Sequence, residues 1–185
     1  MNARHHAVIV SAVRTPMGSF NGSYSSVPAT KLGSLAIAEA VKRIQLPGDR
    51  IDEVLMGCVL SAGLGQAPAR QAAIGAGLPH SVGAVTVNKV CGSSLQAIMM
   101  ATRAIALGEA NVMVAGGMEN MTRAPFLLEK ARQGYRLGHG ELTDSLIKDG
   151  LWDVYNQFHM GNAGELCAAK YRLSRQDVDD FALES

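Results

Sequence analysis

Short apolar runs alternate with helix-spaced apolar positions through the first two thirds of the chain. The run HAVIVSAV, residues 6–13, predicts a short buried strand, and the following RTPMGSFNGSYSSVP, dense in Gly, Ser and Pro, predicts a loop. A helix is expected from Thr30, which can serve as its N-cap. Leu32, Leu35, Ala36, Ala40 and Val41 fall at helical spacing, and Pro47-Gly48 stops it. Glu39, Lys42 and Arg43 then face water or a partner. EVLMGCVL, residues 53–60, predicts a second strand, and APARQAAIGAGL, residues 67–78, a second helix that Gly77 and Pro79 end. AVTV, residues 84–87, predicts a third strand. SLQAIMMATRAIALGE, residues 94–109, carries apolar side chains around most of its circumference, which predicts a helix in the interior. NVMVAGG, residues 111–117, predicts a fourth strand. This alternating order implies parallel crossovers in a layered α/β fold with a mostly parallel sheet.

After Met118 the texture changes. The stretch to Glu165 is more polar, Gly-punctuated and weakly periodic, and reads as a partial loop subdomain on the α/β core. We place the layered domain at residues 1–120 and the subdomain at 121–185. Near the C-terminus Ser174 is a good N-cap with Asp177 three residues on, and Val178, Phe181 and Ala182 begin an apolar face. The chain stops where that helix should be gaining length, which suggests a shortened chain or one half of a divided enzyme.

Composition narrows the classes. In 185 residues, 48% are hydrophobic and 18% charged, so burial of apolar surface can drive folding. A net charge of +1 leaves no footprint for nucleic acid or an acidic membrane. Arg103 interrupts the most apolar segment, short of the roughly 18 apolar residues a span needs. The N-terminal MNARHHAVIVSAVRTP lacks the apolar region and cleavage pattern of a secretory signal. Cys58, Cys91 and Cys167 are odd in number and in no metal-like spacing, which argues against a disulfide framework or a zinc site. A reduced, cytoplasmic setting is the default expectation, with a mitochondrial matrix form left open.

Cys91 draws the chemistry. It stands in NKVCGSSL, residues 88–95, at the turn from the third strand into the apolar helix. There the unpaired N–H groups of the helix's first turn favour a thiolate, and Gly92 permits a tight turn and close substrate approach. Burial against Leu95, Ile98 and Met99 opposes ionisation, so the helix alone does not suffice and a base, most plausibly histidine, is needed nearby. On residue type alone, a small inert cysteine at a crowded turn is the favoured reading of Cys91, and Cys58 and Cys167 fit strand and helix patterns. Gly116-Gly117 lacks the GxGxxG frame and reads as a turn or close-packing device. The nine methionines read as core filling.

Several stretches are recognisable together: VRTPMGSFNGSY, GCVLSAGLGQAPARQAA, VNKVCGSSLQA, VMVAGGMENMTRAPF, LIKDGLWD and FHMGNAGE. In this order and spacing the chain resembles the N-terminal half of the thiolases, in their acetyl-CoA acetyltransferase branch. The resemblance implies the layered thiolase α/β fold and a catalytic nucleophile, Cys91, that takes an acyl group from acyl-CoA as a thioester. It implies that Leu151 contacts pantetheine, and that His159 and Met160 line the acyl and pantetheine end of the CoA tunnel. The motif around them departs from the family's usual form at Gly164 and Leu166, which bears on local helix geometry and acyl-chain preference. No permanently bound cofactor is implied; coenzyme A thioesters are the substrates. Thiolases carry their catalytic histidine, second cysteine and oxyanion-hole asparagine in a C-terminal half, so the resemblance implies a complementary half as partner, and a homo- or hetero-oligomer. Two other classes stay open: a non-catalytic thiolase-like binding or assembly module, and a ketosynthase-like enzyme that condenses by decarboxylation, against which the HMG and GGMENM motifs argue.

Overall fold

β1 (Glu53–Gly57) is the centre of a three-stranded parallel sheet, between β2 (Gly83–Val87) and β3 (Met113–Gly117), in a computed structural model that describes residues 6–185. The first five positions of the 1–120 unit therefore lie outside the described residues. Gly57 stands opposite both Val87 and Gly117, so the three strands end level. Strand alternation sorts the core into two layers. Val54, Met56 and Cys58 pack with Ala29 and Ile37 of α1 (Ala29–Arg43) and with Ala69, Ala72 and Ala73 of α2 (Pro68–Gly75). Leu55 points the other way, onto Ala97 and Ala101 of α3 (Ser93–Leu107). The layered α/β fold expected from the sequence is the one observed.

Short polar ties fix the register. The Asp52 carboxylate accepts from the N–H groups of Asn111 (2.7 Å) and Val112 (3.0 Å), pinning the entry of β3 beside that of β1. The Thr86 hydroxyl accepts from the Ala69 N–H at 3.0 Å and holds the start of α2 over β2.

Beyond β3 the elements shorten. β4 (Phe126–Leu127) pairs with β5 (Thr143–Asp144), and a π-helical turn at Leu146–Leu151 leads into β6 (Trp152–Asp153), which pairs with β7 (Phe158–His159). α4 (Met160–Tyr171) and α5 (Arg175–Glu184) complete the chain. Ser174 caps α5 as expected, in a reciprocal pair with Asp177: each residue's side chain takes the other's backbone N–H.

Three expectations are corrected. Residues 6–13 form no strand: they have no ladder partner among the described residues, and Val8, Ile9 and Val10 are 75%, 80% and 64% exposed. An extended apolar run becomes a strand only when another backbone pairs with it, and a cavity of about 470 Å³ separates this run from α1, α3 and β3. β3 is consequently an edge among the described residues, and the sheet has three strands where four were expected. Thr30 is not the cap of α1; that position is Pro28, with no capping side chain, because the helix starts one residue before Thr30. α3 is not interior on all sides. Only Ser93, Ala97 and Ala101 are buried, while Leu95, Ile98, Met99 and Leu107 are exposed, because nothing in these residues covers its outer face.

The window Val90–Leu107 has a mean hydropathy of 1.3, high enough for a bilayer span despite Arg103. Its helix has only 15 residues. That is about 22 Å, short of the roughly 30 Å hydrocarbon core, and its small-residue face is committed to the sheet.

Candidate functional site

The level C-terminal ends of the strands and the first turn of α3 build the site between them. Gly57 and Gly117 end β1 and β3 beneath that turn. A Cβ on Gly57 would stand 2.7 Å from the Ser94 nitrogen and 2.8 Å from the Ser93 Cβ, so only glycine lets the helix start this close to the sheet. Gly117 is the close-packing device expected from the sequence, since a Cβ there would collide with the Ser94 hydroxyl.

Cys91 sits one residue before the helix N-cap, Gly92, and is exposed. Gly92 has no side chain to cap the first turn; the Gly92 N–H donates to the Lys89 carbonyl at 3.1 Å and the Ser93 N–H to the Val90 carbonyl at 3.0 Å. The turn itself is unusual. Val90 has φ of +47°, a left-handed conformation that β-branched residues strongly disfavour. Asn88 Oδ1 accepts from the Val90 N–H at 3.0 Å, the Ser93 hydroxyl accepts from the Lys89 N–H at 2.9 Å, and that same hydroxyl donates to the Val90 carbonyl.

A cavity of about 600 Å³ opens in front of this turn. Its walls are the loop from Val13 to Phe20, the end of β1 from Gly57 to Leu60, Val90 and Cys91, the segment from Gly117 to Thr122, and Gly150 with Leu151. Cys91 and Leu151 thus share one cavity. His159 and Met160 lie outside its lining: His159 is the N-cap of α4, its Nδ1 accepting from the Gly161 N–H at 3.0 Å, and Met160 is the helix's first residue. The β6–β7 register places His159 opposite Trp152, the neighbour of Leu151.

Two residues of the GGMENM motif, given no individual role from the sequence, organise the walls. Glu119 takes the N–H groups of Val59 (2.8 Å) and Leu60 (3.2 Å) on its carboxylate and lies 3.8 Å from the Cys58 sulfur. Asn120 donates to the carbonyls of Tyr24 and Val27, both at 2.8 Å, and fastens the loop over the cavity. Their sequence signal is the GGMENM motif, which marks them without naming their partners. Burial and the Glu119 charge push the Cys58 thiol up to about 12, so Cys58 is inert although it lines the same cavity. Cys167 is exposed on α4.

The charged residues of the lining are Arg14 and Glu119, and the lining holds no histidine. Among the described residues no three His, Cys, Asp or Glu side chains are grouped to hold a metal ion.

Residues 7–185 match the family described as thiolase, N-terminal domain. The chain belongs to the thiolase family. It is 57% identical over 177 residues to acetyl-CoA acetyltransferase 2 of Arabidopsis thaliana, an alignment covering 96% of this chain and 44% of that protein. It is 52% identical over 178 residues to the acetyl-CoA acetyltransferase of Cupriavidus necator, covering 96% and 45%. Identity to the mitochondrial acetyl-CoA acetyltransferase of Xenopus tropicalis is 52% over 181 residues, covering 98% and 43%. This thiolase chain therefore spans less than half the length of the relatives it matches.

Proposed function

We propose that this chain is the nucleophile-bearing part of an acetyl-CoA acetyltransferase. The observation that carries the reading is the position of Cys91: exposed to a cavity of about 600 Å³, at a strand-to-helix turn whose helix N-cap has no side chain. The Cys91 sulfur attacks the carbonyl of acetyl-CoA; the new C–S bond forms, the C–S bond to coenzyme A breaks, and the coenzyme A thiolate leaves and takes up a proton. The backbone N–H of Cys91, in the turn before α3, contributes to stabilising the oxyanion formed on the way. A second acetyl-CoA then loses a methyl proton to a base, and its carbanion attacks the thioester. A C–C bond forms, the Cys91–carbonyl bond breaks, and acetoacetyl-CoA is released; thiolysis is the reverse. Leu151 contacts pantetheine, and His159 and Met160 line the acyl and pantetheine end of the tunnel beyond this cavity, a reading supported by the pairing of His159 with Trp152, the neighbour of Leu151.

The base comes from outside these residues. The cavity lining has no histidine, and the Glu119 carboxylate is taken by two backbone N–H groups. The exposed outer face of α3 and the apolar gap between residues 7–13 and β3 support a complementary thiolase half that covers them. The assembled protein is accordingly an oligomer or a longer chain, acting on coenzyme A thioesters with no permanently bound cofactor.

The test is mass spectrometry of the chain with acetyl-CoA, alone and with a C-terminal thiolase half. Acetyl is expected on Cys91 and turnover only in the combined sample. Complete turnover by the chain alone would remove the need for a partner; partner-dependent acyl transfer surviving in Cys91→Ser would overturn the nucleophile and favour the assembly-module reading. Preference for a malonyl thioester would favour a decarboxylating enzyme.

A further inference from the structure

The Val90 conformation is held by its surroundings, and these point at Cys91. A β-branched residue with φ of +47° is strained and persists only where its neighbours over-determine it. Two side chains do so here. Asn88 takes the Val90 N–H, the Ser93 hydroxyl bridges the Lys89 N–H and the Val90 carbonyl, and the Ser93 N–H donates to that same carbonyl at 3.0 Å, so both peptide groups of Val90 are tethered. Ser93 is itself immobilised: it is 4% exposed, and its Cβ lies against Gly57 at the end of β1. The tethers run from the rigid sheet end, through Ser93, to the residue that sets the direction of Cys91.

We propose that Ser93, assisted by Asn88, is a positioning residue for acyl transfer: it holds Val90 in its left-handed conformation and thereby aims the Cys91 sulfur and N–H at the substrate carbonyl. The inference rests on Cys91 as the nucleophile. Ser93 touches no reacting atom. Without its hydroxyl, the Lys89 N–H loses its partner and the Val90 carbonyl keeps only the Ser93 N–H; Val90 then relaxes towards negative φ and turns the Cys91 peptide, and a displacement of about 1 Å at a reacting group costs on the order of 100-fold in rate.

The experiment compares two reactions of one thiol. Acetyl-CoA must approach along a defined line, whereas iodoacetamide needs only an accessible sulfur. In the chain, alone and combined with a C-terminal thiolase half, Ser93→Ala is expected to slow acetylation of Cys91 about 100-fold and to change its alkylation less than threefold. Val90→Asn in the Ser93→Ala background is expected to recover at least tenfold of the loss, because Asn adopts positive φ readily. Labelling of buried Cys58 reports loss of the fold; should Ser93→Ala expose it, Asn88→Ala carries the same comparison. Acetylation by Ser93→Ala and Asn88→Ala within threefold of wild type overturns the positioning role, as does a parallel loss of both reactions in a folded variant. Absence of acetyl on wild-type Cys91 in the combined sample instead overturns the nucleophile reading itself, and this inference with it.

Discussion

Replacing Gly57 by alanine is the sharpest test of how this site is built. Gly57 lies in β1 with extended backbone open to any residue, so the substitution brings no conformational strain and its effect is one of space. The added methyl carbon would stand 2.7 Å from the backbone nitrogen of Ser94 and 2.8 Å from the Ser93 Cβ. Neither is the end of a flexible side chain, so the first turn of α3 must lift from the sheet. Overpacking of this kind costs about 1–3 kcal/mol. Gly116 is the internal control, one residue before Gly117 in β3: a methyl group there meets the Met56 sulfur at 3.4 Å, an ordinary contact with a pliant side chain. Gly116→Ala should therefore keep the stabilising effect of a less flexible unfolded chain, about 0.4–1 kcal/mol. The unfolded-chain gain is common to both variants, so they should differ by the overpacking cost alone, roughly 1–3 kcal/mol. In urea, with a slope of about 2 kcal/mol/M, that separates their unfolding midpoints by about 0.5–1.5 M. Gly57→Ala should also slow acetylation of Cys91, because the lifted turn carries the thiol with it. Coincident midpoints would refute the claim that close approach of α3 to the sheet end is what glycine provides.

Two further outcomes follow from other residues. The backbone N–H groups of Val112 and Asn111 hold the Asp52 carboxyl below the usual carboxylate range. A lowered folded value means that this stability is present above the unfolded value near 3.9 and is lost as pH falls through the folded one. Asp52→Asn should thus cost about 1 kcal/mol at pH 7, the carboxylate being exposed, and the gap to wild type should narrow as pH falls below about 4 in urea titrations; a gap independent of pH would refute the assignment. For the cysteines, peptide mapping after iodoacetamide at pH 8 should find Cys91 and Cys167 labelled and Cys58 spared until denaturant is added. With its thiol at about 12, about one Cys58 in ten thousand is ionised there, and native labelling of Cys58 at a rate like that of Cys91 would contradict its burial.

How much of this was legible in the sequence depended on whether the signal was local. The capping pair Ser174 and Asp177 is complete within four residues, and α5 begins where that pair requires. Helical spacing located α1, α2 and α3 to within a few residues, because periodicity records which face meets the sheet. The turn before Cys91 was legible as a turn; its strain was not, because valine is a residue one expects on a strand and only the tethers from Asn88 and Ser93 hold it otherwise. Glu119 and Asn120 were unreadable for a related reason. Their partners lie about 60 and 95 positions away, at Val59 and Leu60 and at Tyr24 and Val27, and nothing in the local pattern couples them.

The two largest departures share one cause, and together they bear on how the protein works. Residues 6–13 have the composition of a strand and α3 has that of an interior helix, yet Ile9 is 80% exposed and Leu95 62%. Side-chain pattern encodes that a surface is to be covered; it does not encode what covers it. Both uncovered surfaces belong to elements that also reach the cavities flanking α3, since residues 7–13 and Ile98 face one cavity while Val13 and Cys91 face the other. Whatever covers them must therefore also confine the space in front of Cys91, where the lining holds no base. Covering the apolar faces and completing the reaction site are then a single event. A partner half that restores acetyl transfer should in the same titration shield Leu95 and Ile9 from solvent, and a partner that does one without the other would separate what the geometry joins.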